Sequence, residues 1–296
     1  MLETLVNCPI CNSTNLSLFK KIKDYSITGE LFTITQCANC DFVFTNPRPD
    51  ECTIARYYES PDYISHSNKK EGFLNRVYQV IRNYSLKRKL ALISRYSESD
   101  KTILDLGCGT GTFLYECSLN GWIGEGIEPN KTARDNAFKE YKLIIKDEPA
   151  IIDFKPKSFQ IITLWHVLEH VYHLKKRLDE ISFILKDNGK IIIALPNYQS
   201  YDAAHYNQKW AAYDVPRHLY HFSGKSIRNL LEQFGYSCIE SIPMKFDSYY
   251  VSILSEKYSK SNMPLVNGII SGLKSNLLAG KDPGKYSSVI YVFGKP

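Results

Sequence analysis

Asp105-Leu106-Gly107-Cys108-Gly109-Thr110-Gly111 follows directly on the run Thr102-Ile103-Leu104, and a helical pattern resumes at Thr112. A strand therefore delivers the chain into a turn with glycine at every second position. Glycine permits backbone angles and close approaches that a Cβ blocks. A strand–glycine loop–helix junction makes a bed for the polar parts of a ligand at a helix N-terminus. Such a junction belongs to an open α/β sheet, where ligands sit beyond the carboxyl ends of the strands.

The spacing narrows the ligand. A dinucleotide loop reads G-x-G-x-x-G, so that the helix N-terminus meets a pyrophosphate. Here the glycines run G-x-G-x-G, and Asp105 stands two residues before the first. A carboxylate at that mouth repels a pyrophosphate and suits a cation. S-adenosylmethionine carries an ammonium and a sulfonium and no phosphate. The next strand, Trp122 to Ile127, ends in Glu128, an acid placed to take both ribose hydroxyls. Glu128 fits either nucleoside; Asp105 and the glycine spacing select S-adenosylmethionine.

Five stretches together resemble a class I S-adenosylmethionine-dependent methyltransferase. They are ILDLGCGTG (Ile103–Gly111), GIEPN (Gly126–Asn130), FQIITLWHVLEHV (Phe159–Val171), LKDNGKIIIALPN (Leu185–Asn197) and RNLLEQFGY (Arg228–Tyr236). The resemblance spans about two-thirds of the chain, residues 101–295. It implies a Rossmann-like, seven-stranded, mostly parallel sheet with helices on both faces. It also implies cofactor contacts at Asp105, Gly107, Gly109, Gly111 and Glu128. Trp165, just after the fourth strand, would stack on adenine or face the sulfonium as a cation–π partner.

Strands are expected near 102–106, 122–127, 142–146, 159–164, 190–195, 238–244 and 287–293. Helices are expected near 111–120, 130–139, 171–186 and 225–235, with Gly189 closing one of them before a strand. The stretch 196–224 is longer than an ordinary connection, a mark of functional loops.

Ahead of this domain stand Cys8-x2-Cys11 and Cys37-x2-Cys40, four of the eight cysteines. Paired Cys-x-x-Cys turns each bite a tetrahedral Zn2+ from one side. Residues 1–49 therefore read as a zinc ribbon with short strands near Phe32–Thr35 and Phe42–Thr45. Four thiolates close the coordination sphere, so the metal is structural, and it compensates for a segment too small to hold a core. Cys52, Cys108, Cys117 and Cys238 are scattered and read as small buried residues. Residues 50–100 read as a helical connector: a tyrosine-rich part with Tyr57, Tyr58 and Tyr63, a polar stretch, and a long helix over 73–95 with apolar positions at helical intervals. The methyltransferase domain takes 101–296.

The composition, 44% hydrophobic and 13% aromatic, supports a packed core. The net charge of +6 is modest and dispersed, unlike the dense basic stripe of a dedicated nucleic-acid binder. No run approaches the roughly 20 apolar residues of a membrane span. The N-terminus MLETLVNCPI lacks the basic and apolar regions of a secretory signal, so a cytoplasmic location is expected.

Six of the seven histidines fall between residues 166 and 221. His166, Glu169 and His170 follow the fourth strand, with His173 read as a surface residue. Two readings apply to the first three. Glu169 and His170 cap a helix and fix the loop, which is the favoured one. The other is a second metal, as in some RNA 2′-O-methyltransferases of this fold that use Glu-x-x-Glu-His plus a later histidine; His166 replaces the first acid here. The segment Asp214–Ser223 resembles methyltransferases of polysaccharide and deoxysugar pathways. Sugar C-methyltransferases carry a Glu-His pair there, and His218 aligns with that histidine while Arg217 takes the glutamate position. An arginine beside the acceptor suits an anionic group.

Methyl transfer from a sulfonium is an in-line displacement, which leaves the protein alignment, water exclusion and removal of a proton. The catalytic candidates are His218 first, then His221 and His166. The leading function is methylation of a small-molecule or saccharide acceptor at oxygen or carbon, assisted by histidine. An RNA methyltransferase with the ribbon gripping nucleic acid, and a non-catalytic S-adenosylmethionine-binding scaffold, are the alternatives.

Overall fold

The computed structural model describes residues 1–58, 73–97 and 99–296, with the backbone alone for 73–80 and 283. The expected polar connection, Tyr63 included, lies outside the described residues.

The chain opens with five short strands: β1 (Leu2–Glu3), β2 (Leu16–Lys23), β3 (Leu31–Cys37), β4 (Val43–Thr45) and β5 (Arg48–Pro49). β1 pairs with β5, while β2, β3 and β4 form an antiparallel sheet. α1 (Phe73–Arg95) then leads into an alternation of β6 (Thr102–Leu106), α2 (Thr112–Leu119), β7 (Ile123–Ile127), α3 (Lys131–Tyr141), β8 (Phe159–Trp165), α4 (Leu174–Ile184) and β9 (Leu185–Pro196). The rest of the chain is α5 (Tyr201–Tyr206), β10 (Tyr220–His221), α6 (Gly224–Glu232), β11 (Ser237–Pro243), α7 (Asp247–Tyr258), α8 (Pro264–Ala279) and β12 (Ser288–Gly294).

The central sheet has the order β11-β12-β9-β8-β6-β7. β7, β6, β8 and β9 run parallel, and β12 and β11 are antiparallel additions. β8 and β12 are buried along their length and rich in Ile, Val and Phe, as suits strands covered on both faces.

Six strands stand where seven are expected. Residues 142–146 contribute only an isolated parallel bridge, Ile127 to Lys146. Lys146 N donates to Gly126 O and Glu128 N to Lys146 O. The chain then leaves the sheet through a 3-10 turn over Glu148–Asp153, with Asp147 accepting from Glu148 N and Pro149 inside the first turn. Gly189 does not close a helix either: α4 ends at Ile184, and Gly189 lies where β9 shifts register against β8.

Two elements were not legible in the periodicity. α7 and α8 form a hairpin in which Gly268 and Gly272 let α8 sit against the backbone of Ile253 and Tyr249. A Cβ on Gly268 would stand 2.6 Å from the Ile253 Cα. The second concerns the N-terminal sheet, which takes its last strand from residue 220 onward. β10 pairs with β4, placing Tyr220 opposite Phe44 and His221 opposite Val43. Phe42 packs on Tyr220 and Phe222 at ring separations of 5.7 and 5.4 Å. Phe42 and Phe44 share one buried cluster with Leu104, Ile162 and Leu219. The small N-terminal segment thus borrows core from the larger sheet.

Candidate functional site

The glycine loop leaves β6 with three glycines in the left-handed region: Gly107 at φ +66°, Gly109 at φ +57° and Gly111 at φ +72°. Their surroundings differ. A Cβ on Gly107 would stand 2.5 Å from a Val167 methyl, whereas one on Gly109 meets nothing within 4 Å. Gly107 is therefore glycine because the loop after β8 packs on it, and Gly109 faces open space.

Glu128 closes the second strand end. Its carboxylate accepts from Gly109 N and from Asn130 N, both at 2.9 Å. One acid thus ties the glycine loop to the start of α3. Asp105 is buried at the end of β6, directly across from Thr163 of β8, whose hydroxyl donates to it at 2.6 Å. Burial pushes the Asp105 carboxyl up to about 7, against the pull of the Thr163 hydrogen bond and of Lys89.

Lys89, from α1, was not singled out in the sequence. Its ammonium lies 4.3 Å from the centre of the Trp165 ring. Burial depresses its pKa, while Asp105 and Asp247 oppose that. Lys89 thus already covers a face of the indole, at a place where burial disfavours its charge. Trp165 also meets Phe113 edge-on, at 5.6 Å.

The loop after β8 holds His166 in the left-handed region, φ +57°, an uncommon geometry for a residue with a side chain. Its imidazole bridges Asp247 Oδ2 at 3.1 Å and Glu169 Oε1 at 3.5 Å. Burial works against its charge, but Asp247 and then Glu169 outweigh it and raise the pKa to about 10. An imidazolium has no lone pair, so this withdraws His166 from the role of base. Asp247, at the start of α7, was invisible as a partner because α7 itself was.

His218 lies 9% exposed, and its Nδ1–H donates to Ala212 O at 2.9 Å. Burial, then His170, lower its pKa to about 4, so the ring is neutral and its lone pair is on Nε2. The two rings meet edge-on, with centroids 4.7 Å apart. His221 is tied to the N-terminal sheet. Thr45 Oγ1 donates to His218 O at 2.8 Å, so at 3.1 Å it is His221 Nε2–H that donates to Thr45 Oγ1. His218, His221 and Tyr198 line a crevice too narrow to hold a water molecule. His173 is exposed and meets Glu51 at 3.3 Å. Tyr57 is wholly buried against Phe32, and the Tyr58 hydroxyl lies 3.0 Å from His170 Nδ1.

Two expectations are corrected. Arg217 does not face an acceptor. Its guanidinium is fully buried, with Nη2 on Asp24 at 2.9 Å and on Asp214 at 2.7 Å, and Nη1 on Tyr57 O at 2.8 Å. An arginine so committed clamps three chain segments and has no fork left for an anion. Nor do Glu169 and His170 cap a helix. They lie inside a three-residue turn, Leu168–His170, without a side-chain cap, and α4 starts at Leu174 behind His173, which gives none. Instead Glu169 is 1% exposed with both carboxylate oxygens lacking a hydrogen-bond partner.

The four cysteines Cys8, Cys11, Cys37 and Cys40 converge: one sulfur from each lies within 4.8 Å of the others. Cys8 to Cys40 and Cys11 to Cys37 are both 3.5 Å. Zn–S bonds near 2.3 Å set the sulfurs of a tetrahedron roughly 3.8 Å apart, so this donor set fits the metal. Of the other four cysteines, Cys117 is buried in the sheet's second core cluster with Cys108 packed against it, Cys238 is half-buried, and Cys52 is exposed, contrary to expectation.

Comparison with known proteins agrees with this architecture. A family model described as "Methyltransferase domain" matches residues 78–241, more than half of the chain. The chain belongs to that methyltransferase family. Two uncharacterized proteins of Methanocaldococcus jannaschii are 27% identical over 138 residues and 35% identical over 104 residues. Those matches cover 47% and 35% of this chain, and 65% and 44% of the relatives. The chain thus spans less than two-thirds of the length of the curated relatives it matches. Among solved structures, magnesium protoporphyrin IX methyltransferase from Synechocystis, with bound S-adenosylhomocysteine, superposes with TM-score 0.54 at 11% identity. That likeness covers 83% of this chain and 100% of that one. A candidate sarcosine dimethylglycine methyltransferase from Galdieria sulphuraria gives 0.50 at 16%, covering 74% and 86%. Likeness at such identities is likeness of fold. No described helix is long and apolar enough to cross a membrane.

Proposed function

We propose that this methyltransferase acts on a small-molecule or saccharide acceptor, at oxygen or carbon, where the glycine loop meets the histidine-bearing segments 166–170 and 214–221. The observation that carries the reading is the convergence of Glu169, His170 and His218 on the loop that packs against Gly107. Donor bed and candidate acceptor side are thereby one continuous structure. The two solved relatives are named for small acceptors of unrelated chemistry, so fold alone does not choose among them. The saccharide class rests on the resemblance of Asp214–Ser223 to sugar methyltransferases.

The residues divide the work as follows. Asp105, Gly107, Gly109, Gly111 and Glu128 would hold S-adenosylmethionine, with Trp165 beside the cationic part. The open space over Gly109 and the paired backbone contacts of Glu128 fit a nucleoside there. When bound, the cofactor supplies an electrophilic methyl group on sulfur. His218 keeps Nε2 unprotonated and is the first candidate to take the acceptor's proton, with His221 held behind it by Thr45.

The test is incorporation of label from methyl-labelled S-adenosylmethionine into fractionated cell extract. Label in sugar-nucleotide or oligosaccharide fractions is expected. Label confined to RNA would replace the saccharide reading. His218→Gln should lose at least about 100-fold in kcat with cofactor affinity kept, the lower end of general-base contributions. Near-normal kcat in that variant would remove His218 from the chemistry.

Asp105 predicts a pH dependence. A cationic ligand favours the carboxylate, and with the carboxyl up at about 7 the free protein must release a proton below that pH. Affinity for S-adenosylmethionine should therefore rise about tenfold from pH 6 to pH 8, with proton release in calorimetry near pH 6. Asp105→Asn should flatten the slope. A flat profile in the parent protein would show that Asp105 does not face the cofactor's charge.

The cysteines are read as a structural Zn2+ site in an N-terminal ribbon. One zinc per chain is expected by elemental analysis. Its removal by a strong chelator should lower the melting temperature, because β4 and β10 connect the ribbon to the rest of the fold. A metal-free preparation with an unchanged melting temperature would rule the site out as structural.

A further inference from the structure

α8 is built the wrong way round for a helix that faces water. A surface helix turns its large apolar side chains toward the core and its polar ones outward. The side of α8 packed on the rest of the fold carries Gly268, Ser271, Gly272, Ser275 and Ala279. Leu265, Val266, Ile269, Ile270, Leu273 and Leu277 share the opposite face at helical spacing, each between 44 and 66% exposed. Gly268 and Gly272 bring α8 against the backbone of α7, and the serines at this contact find partners inside the fold. Ser248 Oγ donates to Gly272 O at 3.2 Å, and Ser275 Oγ donates to Asp202 at 3.0 Å. Small residues between helices and large apolar ones outside are the arrangement of helices in an apolar medium.

Charge decides what covers this face. Between Glu256 and Asp282 the chain holds Lys257, Lys260, Lys274 and Lys281 and no acid. All four are exposed, and the lysine ion pairs among the described residues lie elsewhere. Lys274, over the Tyr201 ring at 5.5 Å, stands one turn from Ile270 and from Leu277, while Lys260 and Lys281 flank the helix. A second copy seated two-fold on this face would set the lysines of one chain beside those of the other, with no acid between to pair them. A bilayer with anionic headgroups offers hydrocarbon to the apolar face and negative charge to the lysines, whose long stems reach it. With 16 residues α8 is about 24 Å long, short of the roughly 30 Å hydrocarbon core, so it lies along the surface rather than across it.

We propose that the outward face of α8, with the lysines around it, docks this protein on the surface of an anionic lipid bilayer. The hairpin that docks is joined to the loop after β8, because Asp247 at the start of α7 holds His166 at 3.1 Å. Docking needs neither methyl donor nor acceptor, so it stands or falls separately from the function proposed above.

The experiment sediments the full chain with sucrose-loaded vesicles, either of phosphatidylcholine alone or of phosphatidylcholine and phosphatidylglycerol in equal parts. Binding to the mixed vesicles is expected, at least about tenfold tighter than to the neutral ones and weakened by salt. The double variants Ile270→Gln with Leu277→Gln, and Lys260→Gln with Lys281→Gln, should each lower it at least about tenfold. Ile123→Gln, which removes an exposed apolar side chain at the start of β7, should bind as the parent does. All of these side chains are exposed, so melting temperatures should match the parent's. A parent chain that ignores the mixed vesicles, or binds neutral ones equally well, overturns the proposal. So does parent-like binding in both double variants. A dimer in analytical ultracentrifugation that Ile270→Gln with Leu277→Gln dissociates, in a chain that binds no vesicle, would give the face to a second copy instead.

Discussion

Gly107→Ala should weaken S-adenosylmethionine binding at least about tenfold and lower the melting temperature as well. The reason is twofold. At φ +66° an L-residue pays a backbone cost of roughly 1–2 kcal/mol, itself about a factor of ten. The new methyl would also stand 2.5 Å from Val167 Cγ2, so the loop that carries Trp165 to His170 must shift. Gly109→Ala is the informative comparison. It shares the positive φ but meets nothing within 4 Å. Its packing cost should be small, so any loss of affinity reports on the space the cofactor takes. Calorimetry and thermal melts on both variants separate the two effects. If Gly107→Ala kept parental affinity and melting temperature, the loop would be more compliant than this geometry implies.

Arg217→Ala should destabilise the fold by about 3–5 kcal/mol, the usual cost of removing one partner from a buried ion pair. The loss would leave Asp24 and Asp214 facing each other's segment without a cation. Burial raises both carboxyl pKa values, and Arg217, helped at Asp24 by Thr28, more than offsets it, so both lie below the ordinary range. A depressed carboxyl contributes stability above its unfolded pKa, and that contribution fades as pH falls through the folded value. Without Arg217 the two buried carboxyls titrate upward instead. The defect should therefore be larger at pH 7 than at pH 5, where protonation relieves them. Urea unfolding at both pH values measures this, and an equal defect at both would mean that lost packing rather than charge dominates. Neither outcome requires the methyl acceptor to be known.

Much of the donor side was legible because its signals are local. Asp105, the glycines and Glu128 lie within 24 consecutive residues, and the backbone needs of that turn are written in residue type. The cysteine pairs were equally local, since each knuckle is two ligands on one turn. The acceptor side was not legible in this way. His218 and Glu169 meet across the fold, and spacing cannot say whether Glu169 caps a helix or stands unsatisfied. Arg217 was misread for the same reason. Its type suggests an anion, but its anions are Asp24 and Asp214 of this chain. Lys89 and Asp247 carried no motif at all. They matter through helices that approach the strand edge from α1 and α7.

From the sequence alone came the α/β class, six strands of the central sheet, the reading of the donor and the four-cysteine set. Each depends on interactions between neighbours along the chain, or on a period that the chain repeats. The tertiary structure decided three further things: that β10 completes the N-terminal sheet, that His166 bridges Asp247 and Glu169, and that Glu169, His170 and His218 come within 4.8 Å of one another. Those outcomes turn on burial and on contacts between remote segments. A side chain's charge, tautomer and free lone pairs are set by what the folded chain brings within about 4 Å of it, and no residue carries that information by itself.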